Sequence, residues 1–145
     1  MRPIGIVLAF VLVLTSWSVQ AVRAGPLDDV TQGDAASIEQ VIRSQLDAFQ
    51  VDDGDLAFSF ASPSIRAIFG TPDRFMQMVR TGYRPVYRPR EVEFGRLIEF
   101  QGQPTQLVTL VGPDGRVVAA YYLMERQPDG IWRIDGCVLR EAPAV

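Results

Sequence analysis

The sequence predicts an α+β domain, with amphipathic helices in its first half and about four antiparallel strands in its second. Three observations predict this. From Ile38 to Phe49 apolar residues recur every three or four positions, the helical period. After Gly82 the period falls to two, which suits strands. Pro113-Asp-Gly115 and Pro128-Asp-Gly130 divide this second half as hairpin turns closed by a left-handed glycine. At 145 residues the chain has room for one globular unit.

The N-terminal residues read as an address. Arg2 precedes the uncharged run Ile4–Leu14, Thr15-Ser-Trp-Ser18 breaks it, and small residues stand at Ala21 and Ala24. That is the order of a Sec-type signal peptide, and its apolar core is shorter than the roughly 20 residues a membrane span needs. Residues 1–24 are therefore expected to be removed after Ala24, with Ala21 as the other fitting cut, and to place the protein in the periplasm or outside the cell. An uncleaved signal would be the chain's only tie to a membrane. Two of the 14 basic residues, Arg2 and Arg23, lie in this segment, which leaves 12 against 17 acids, a net charge of −5. An acidic domain is a poor ligand for nucleic acid, whose affinity comes from phosphate neutralisation. All basic residues are Arg, His is absent, and Cys137 is alone. No His base, His-ligated metal, Schiff-base lysine or internal disulfide can form.

Residues 25–36 lack periodicity and read as a flexible leader. Ser37 and Gln40 have capping-box spacing, so the first helix is expected over 38–50, with Asp47 facing out. Asp52-Asp-Gly-Asp55 ends it; the stretch has neither the alternation nor the later Glu of a calcium loop, and reads as a turn and helix cap. A second helical piece covers Asp55–Ala61. Ser62-Pro63 and Thr71-Pro72, each a cap followed by proline, start helices near 63–69 and 72–81, closed by Gly70 and Gly82. Tyr83–Arg90 is expected to be extended because of Pro85 and Pro89.

Strands are expected near 91–100, 104–112, 116–127 and 131–140, the domain ending at 141 before a short tail, 142–145. Three-residue Pro-Asp-Gly loops set Val111 opposite Val117 and Glu125 opposite Arg133. If Gln101-Gly-Gln103 is also a three-residue loop, one face carries Val92, Phe94, Ile98, Phe100, Val108, Leu110, Val118, Ala120, Tyr122, Met124, Trp132, Ile134 and Val138. A two-residue loop would turn Phe94 and Ile98 outward. The other face mixes Glu91, Glu93, Glu99, Glu125, Arg133 and Asp135 with Leu107, Val111, Ala119, Tyr121, Leu123 and Leu139. Those six apolar residues are the expected surface of a homodimer, set against plain scattered exposure.

Ala48-Phe-Gln-Val-Asp-Asp-Gly-Asp-Leu-Ala-Phe-Ser-Phe-Ala-Ser-Pro63 resembles the helix–turn–helix of the NTF2-like (SnoaL-like) superfamily, and Asp129-Gly-Ile-Trp-Arg-Ile134 resembles its last hairpin. The run Phe60–Val79 is similar to an uncharacterised bacterial family, a domain of unknown function found behind a signal peptide. The likeness covers about residues 37–140. It implies helices wrapped by a curved sheet into a cone with a pocket, commonly dimeric. It implies no activity, because the cone hosts isomerases, dehydratases, binding proteins and adaptors.

Two groups of residues are candidate sites. Tyr122, Arg96, Trp132, Gln106 and Arg126 are expected to face the cone, where Arg96 and Tyr122 could hold an acidic or carbonyl-bearing ligand. The alternative is that Tyr122 and Trp132 are core aromatics and the Arg heads reach solvent. Arg80, Tyr83, Arg84, Tyr87, Arg88 and Arg90 pack four guanidiniums and two phenols into eleven residues, suited to an anion or an acidic partner. The alternative is pairing within the chain, with Glu91, Glu93 and nearby Asp. Cys137 is expected on the Tyr121 side as a packed thiol. The sequence points to no catalytic set, no metal and no cofactor. It favours an exported, non-enzymatic binding or accessory domain of the bacterial envelope. A small cone isomerase or hydratase using Tyr and a carboxylate, and a structural dimerisation module, are the alternatives.

Overall fold

The computed structural model describes residues 25–142; the expected signal peptide and the last three residues lie outside them. Five helices precede four strands: α1 Gln32–Gln50, α2 Gly54–Ser59, α3 Pro63–Phe69, α4 Pro72–Gly82, α5 Arg84–Tyr87, then β1 Glu91–Phe100, β2 Gln103–Val111, β3 Val117–Arg126 and β4 Trp132–Glu141. The strands form one open antiparallel sheet in the order β1-β2-β3-β4. The α+β class is as expected, and helices on one face of such a sheet are consistent with the NTF2-like cone.

The first helix starts six residues earlier than its apolar stripe suggests. Thr31, not Ser37, is the cap: its hydroxyl accepts from Asp34 N while the Asp34 carboxylate accepts from Thr31 N, a capping box. Ser37 is inside the helix and donates to the Gly33 carbonyl. The segment expected to be a flexible leader thus contains the start of α1. Asp34 explains the extension. Its Oδ1 also accepts from the Trp132 indole at 3.1 Å and from Arg126, whose guanidinium stacks over the Trp132 ring. One carboxylate therefore ties the start of α1 to the β3–β4 hairpin. The other end of α1 closes at Asp52, in the left-handed region at φ 54°. Asp53 caps α2 by accepting from Leu56 N, the cap role expected of this acidic turn.

The helices after α2 follow the proline caps. Ser62 and Thr71 accept from Ile65 N and Arg74 N, with Pro63 and Pro72 in the first turns. Arg84–Tyr87 is a short helix rather than extended chain. Pro85 sits in its first turn, where the missing N–H costs nothing. Phe49, Phe58 and Phe69 surround Phe75 at centroid distances of 6.1, 5.3 and 5.7 Å, locking α1, α2, α3 and α4 together.

The two Pro-Asp-Gly loops keep the expected register, Val111 opposite Val117 and Glu125 opposite Arg133. The first hairpin differs. Phe100 faces Gln103 across the two-residue loop Gln101-Gly102, with φ of 52° and 75°. Both residues are left-handed, as a primed turn requires, and its twist matches the strands. By alternation alone this would turn Phe94 out and bury Glu91 and Glu93. A bulge at Gly95-Arg96, between the Phe94–Val108 and Leu97–Gln106 pairs, restores Val92 and Phe94 to the helix side. Ile98 and Phe100 are consequently on the opposite face, and Phe100 stacks on Tyr121 at 5.1 Å. A second bulge, at Asp135-Gly136, separates the Leu123–Gly136 and Met124–Ile134 pairs. It sets Cys137 opposite Tyr122 and Leu139 opposite Ala120, both inward, while Val138 joins Tyr121 outside. The expected places of Cys137, Val138 and Leu139 are thus reversed.

Hydrogen bonds from the Thr31 backbone, the Trp132 indole and the Thr31 hydroxyl, with Arg126, hold the Asp34 carboxyl well below the usual carboxylate range against the cost of burial. A depressed folded pKa stabilises the fold above the unfolded value, near 4, and this contribution is lost as pH falls through that window. Thermal melts of the native chain and Asp34→Asn are expected to differ by a constant gap from pH 7 down to about pH 4, and the gap to close below it. A gap independent of pH would contradict the Asp34 role.

Candidate functional site

The inward turn of Cys137 builds one wall of a cavity. It has a volume of about 460 Å3 and lies between the helices and the sheet, lined among others by α1 (Gln45, Phe49), α3 (Ile65, Phe69), α4 (Phe75, Met78, Val79), Tyr83, Val86, Gln101 of the β1–β2 turn and the strand residues Tyr122, Ile134, Cys137 and Val138. That size is within the range of pockets that enclose a small organic molecule, roughly 300–1,000 Å3. The lining is aromatic and aliphatic, and includes no Asp, Glu or Arg.

Its polar groups are few and unequal. Gln45 is 4% exposed and its amide donates to the Ala57 carbonyl at 3.0 Å. The Tyr83 hydroxyl donates to the Cys137 carbonyl at 2.9 Å. The Tyr122 hydroxyl, on a side chain 1% exposed, has no hydrogen-bond partner among the described residues and stands beside the Cys137 thiol. Burial first, and then the neighbouring thiol, push its pKa well above the usual phenol range. Burial pushes the Cys137 thiol up to about 12, the Tyr122 hydroxyl offsetting only part. Both groups are therefore protonated at neutral pH. Apart from the Cys137 sulfur beside it, a weak acceptor outside hydrogen-bond geometry, Tyr122 is a donor without an acceptor among the described residues. Cys137 is no nucleophile, because the thiolate is the reactive species.

The other expected cone residues go elsewhere. Gln106, 4% exposed, donates to the Gly95 and Leu107 carbonyls at 2.7 and 2.9 Å and so braces the β1 bulge. Trp132 and Arg126 are bound to Asp34. Arg96 lies in the bulge itself and is exposed, because the extra residue there swings it away from the cavity. Of the five, only Tyr122 lines the cavity. Sequence reasoning missed the cavity's other residues because Cys137 and Gln45 become lining only through the β4 bulge and the pitch of α1.

The arginine-rich segment divides. Arg80 and Arg88 reach the Asp52 carboxylate at 3.4 and 3.0 Å, the Tyr87 hydroxyl donates to it, and Arg88 also donates to the Phe49 carbonyl at the end of α1. This is the pairing within the chain weighed above, with Asp52 rather than Glu91 or Glu93 as the acid. These contacts, the Tyr87 hydroxyl foremost, lower the Asp52 pKa. Tyr83 serves the cavity wall. Arg84 and Arg90 make no ion pair with the described residues and lie toward the β2–β3 turn. On the outer face, Leu107, Tyr121 and Val138 form one cross-strand row beside Ala119, Val111 and the buried Leu123, whereas Leu139 has left it for the core.

The model of one family, the domain of unknown function DUF4864, matches residues 31–145. The chain belongs to the DUF4864 family. Its match begins at Thr31, the residue that caps α1, so the DUF4864 domain includes the early turns that the apolar stripe alone leaves out. No curated protein and no solved structure matches the chain.

A buried donor with no acceptor costs about 1–3 kcal/mol relative to an apolar group of the same shape. In the DUF4864 domain without ligand, Tyr122→Phe is expected to stabilise the fold by roughly 1 kcal/mol, raising Tm by about 4 °C. A fall of that size, measured by calorimetry, would mean that the hydroxyl is already satisfied.

Proposed function

We propose that this DUF4864 domain is an exported, non-enzymatic binding protein of the bacterial envelope, with an NTF2-like cone that takes up one small, mostly apolar molecule bearing a hydrogen-bond acceptor. The Tyr122 hydroxyl carries this reading, since it is a buried donor left open in the wall of a cavity of about 460 Å3. A ligand carbonyl or ether oxygen placed there would satisfy the donor while aromatic walls cover the rest. The same lining argues against the isomerase or hydratase reading. Such chemistry needs a carboxylate or other base near the reacting carbon, and the titratable groups of the cavity are two phenols and a thiol, all pushed by burial toward keeping their protons. Export rests on the signal-like residues 1–24 alone. The partner reading is a second copy across the outer Leu107–Tyr121–Val138 row. Light scattering tests it, twice the chain mass being the expected result and the monomer mass the result that would remove it.

Protein secreted behind its own leader is expected to begin at Gly25 or Val22 by intact mass. It should bind the uncharged probe N-phenyl-1-naphthylamine saturably, in one site. Ile65→Trp, which fills the cavity at α3, should abolish the signal. Displacement by 1-acetonaphthone, which carries a ketone, should weaken about tenfold in Tyr122→Phe, the loss of one hydrogen bond, with the probe itself unaffected. Non-saturable binding, or equal binding by Ile65→Trp, would contradict the proposal.

A further inference from the structure

A second cleft lies apart from the cone, between the end of α4, the start of α5, the β2–β3 turn and the end of β4. Its volume is about 470 Å3, and Arg84, Arg116, Asp114 and Glu141 line it. The backbone fixes the two guanidinium-bearing residues across from each other. Pro85 packs on Gly112, where an added Cβ would lie 3.4 Å from the proline ring, so α5 is seated on the turn that carries Arg116. Asp114 accepts from Arg116 N at 3.0 Å, which sets the direction in which Arg116 leaves the turn. A third guanidinium borders the cleft: Arg90 Nη1 comes within 3.7 Å of the place a side chain would take at Gly115. None of the three makes an ion pair with a described acid, although Arg80 and Arg88 of the same segment are both spent on Asp52.

We propose that this cleft is a binding site for a hydroxyl-bearing phosphate ester of the phosphoglycerol type, the phosphate held by the forks of Arg84 and Arg116 and flanked by Arg90, and the hydroxyls donating to Glu141 and Asp114. Two planar forks lining one cleft can offer paired N–H donors that match the oxygens of a phosphate. Positive charge alone would accept any anion, but the two carboxylates in the same cleft disfavour a bare one. They favour a ligand that offers hydrogen-bond donors beside its charge. The chemistry has two sources, free glycerol phosphate and the headgroup of phosphatidylglycerol.

Calorimetric titration at low ionic strength tests it with glycerol 3-phosphate, inorganic phosphate and vesicles of phosphatidylglycerol or phosphatidylcholine. The double variant Arg84→Gln/Arg116→Gln should raise the Kd at least tenfold. Arg66→Gln/Arg74→Gln, which removes the same charge from the exposed surface of α3 and α4, should not. Saturable binding of glycerol 3-phosphate with this pattern supports the site and a free ligand. The pattern seen only with phosphatidylglycerol vesicles supports the site and a headgroup. Inorganic phosphate binding as tightly as glycerol 3-phosphate overturns the hydroxyl contacts. Equal losses in the two double variants, or no binding by any probe, overturn the proposal.

Discussion

Two extra residues in the sheet, each braced by a buried polar side chain, determine what faces the helices. In β4 the brace is Ser62, fully buried, whose hydroxyl donates to Asp135 at 2.6 Å while its N–H donates to the Ile134 carbonyl. Ile134 N–H returns a bond to Phe60, and Gln103 donates to the other Asp135 oxygen at 2.9 Å. In β1 the brace is Gln106, which caps the Gly95 carbonyl that the bulge frees from the ladder. A bulge leaves backbone groups unpaired, and inside a protein they must find partners or cost several kcal/mol. Here buried side chains supply those partners. The bulges then bend the strands and reverse the side-chain alternation beyond them. Cys137 enters the cavity wall opposite Tyr122, while Val138 pairs with Tyr121 and meets the cavity only at its β4 edge.

The helical layer is held by charge at both ends of α1. At its start Asp34 gathers Thr31, Trp132 and Arg126, and at its end Asp52 gathers Arg80, Tyr87 and Arg88. Each arrangement agrees with the helix dipole, an acid at the N-terminus and guanidiniums near the last carbonyls. These ion pairs join segments far apart in sequence. Arg80, Arg88 and Arg126 are drawn to these two carboxylates and away from the cavity between them, whose lining is almost purely apolar.

Much of this was legible in the residues. Proline after Ser62 and Thr71 marks α3 and α4, and the Pro-Asp-Gly turns set two registers, because each signal is local and has one cheap solution. The start of α1 was not, since Thr31-x-x-Asp34 gains its meaning from Trp132 and Arg126, about a hundred residues on. The bulges were also hidden. Strict alternation through Gly95 and Asp135-Gly136 satisfies the apolar pattern nearly as well, and only Ser62 and Gln106, distant or across a strand, decide against it. Tyr122 was readable as an inward residue, but its missing acceptor appears only with the packed neighbours in place.

The bulge at Asp135-Gly136 is the point on which the cavity depends, and proton–proton contacts read it directly. In a NOESY spectrum of the folded domain, the Cys137 β-protons should contact the Tyr122 ring and the Val138 methyls the Tyr121 ring, as their cross-strand pairs dictate. The exchanged pattern, Val138 against Tyr122 and Cys137 against Tyr121, would mean an unbulged strand and would contradict both the cavity wall and the reading built on it.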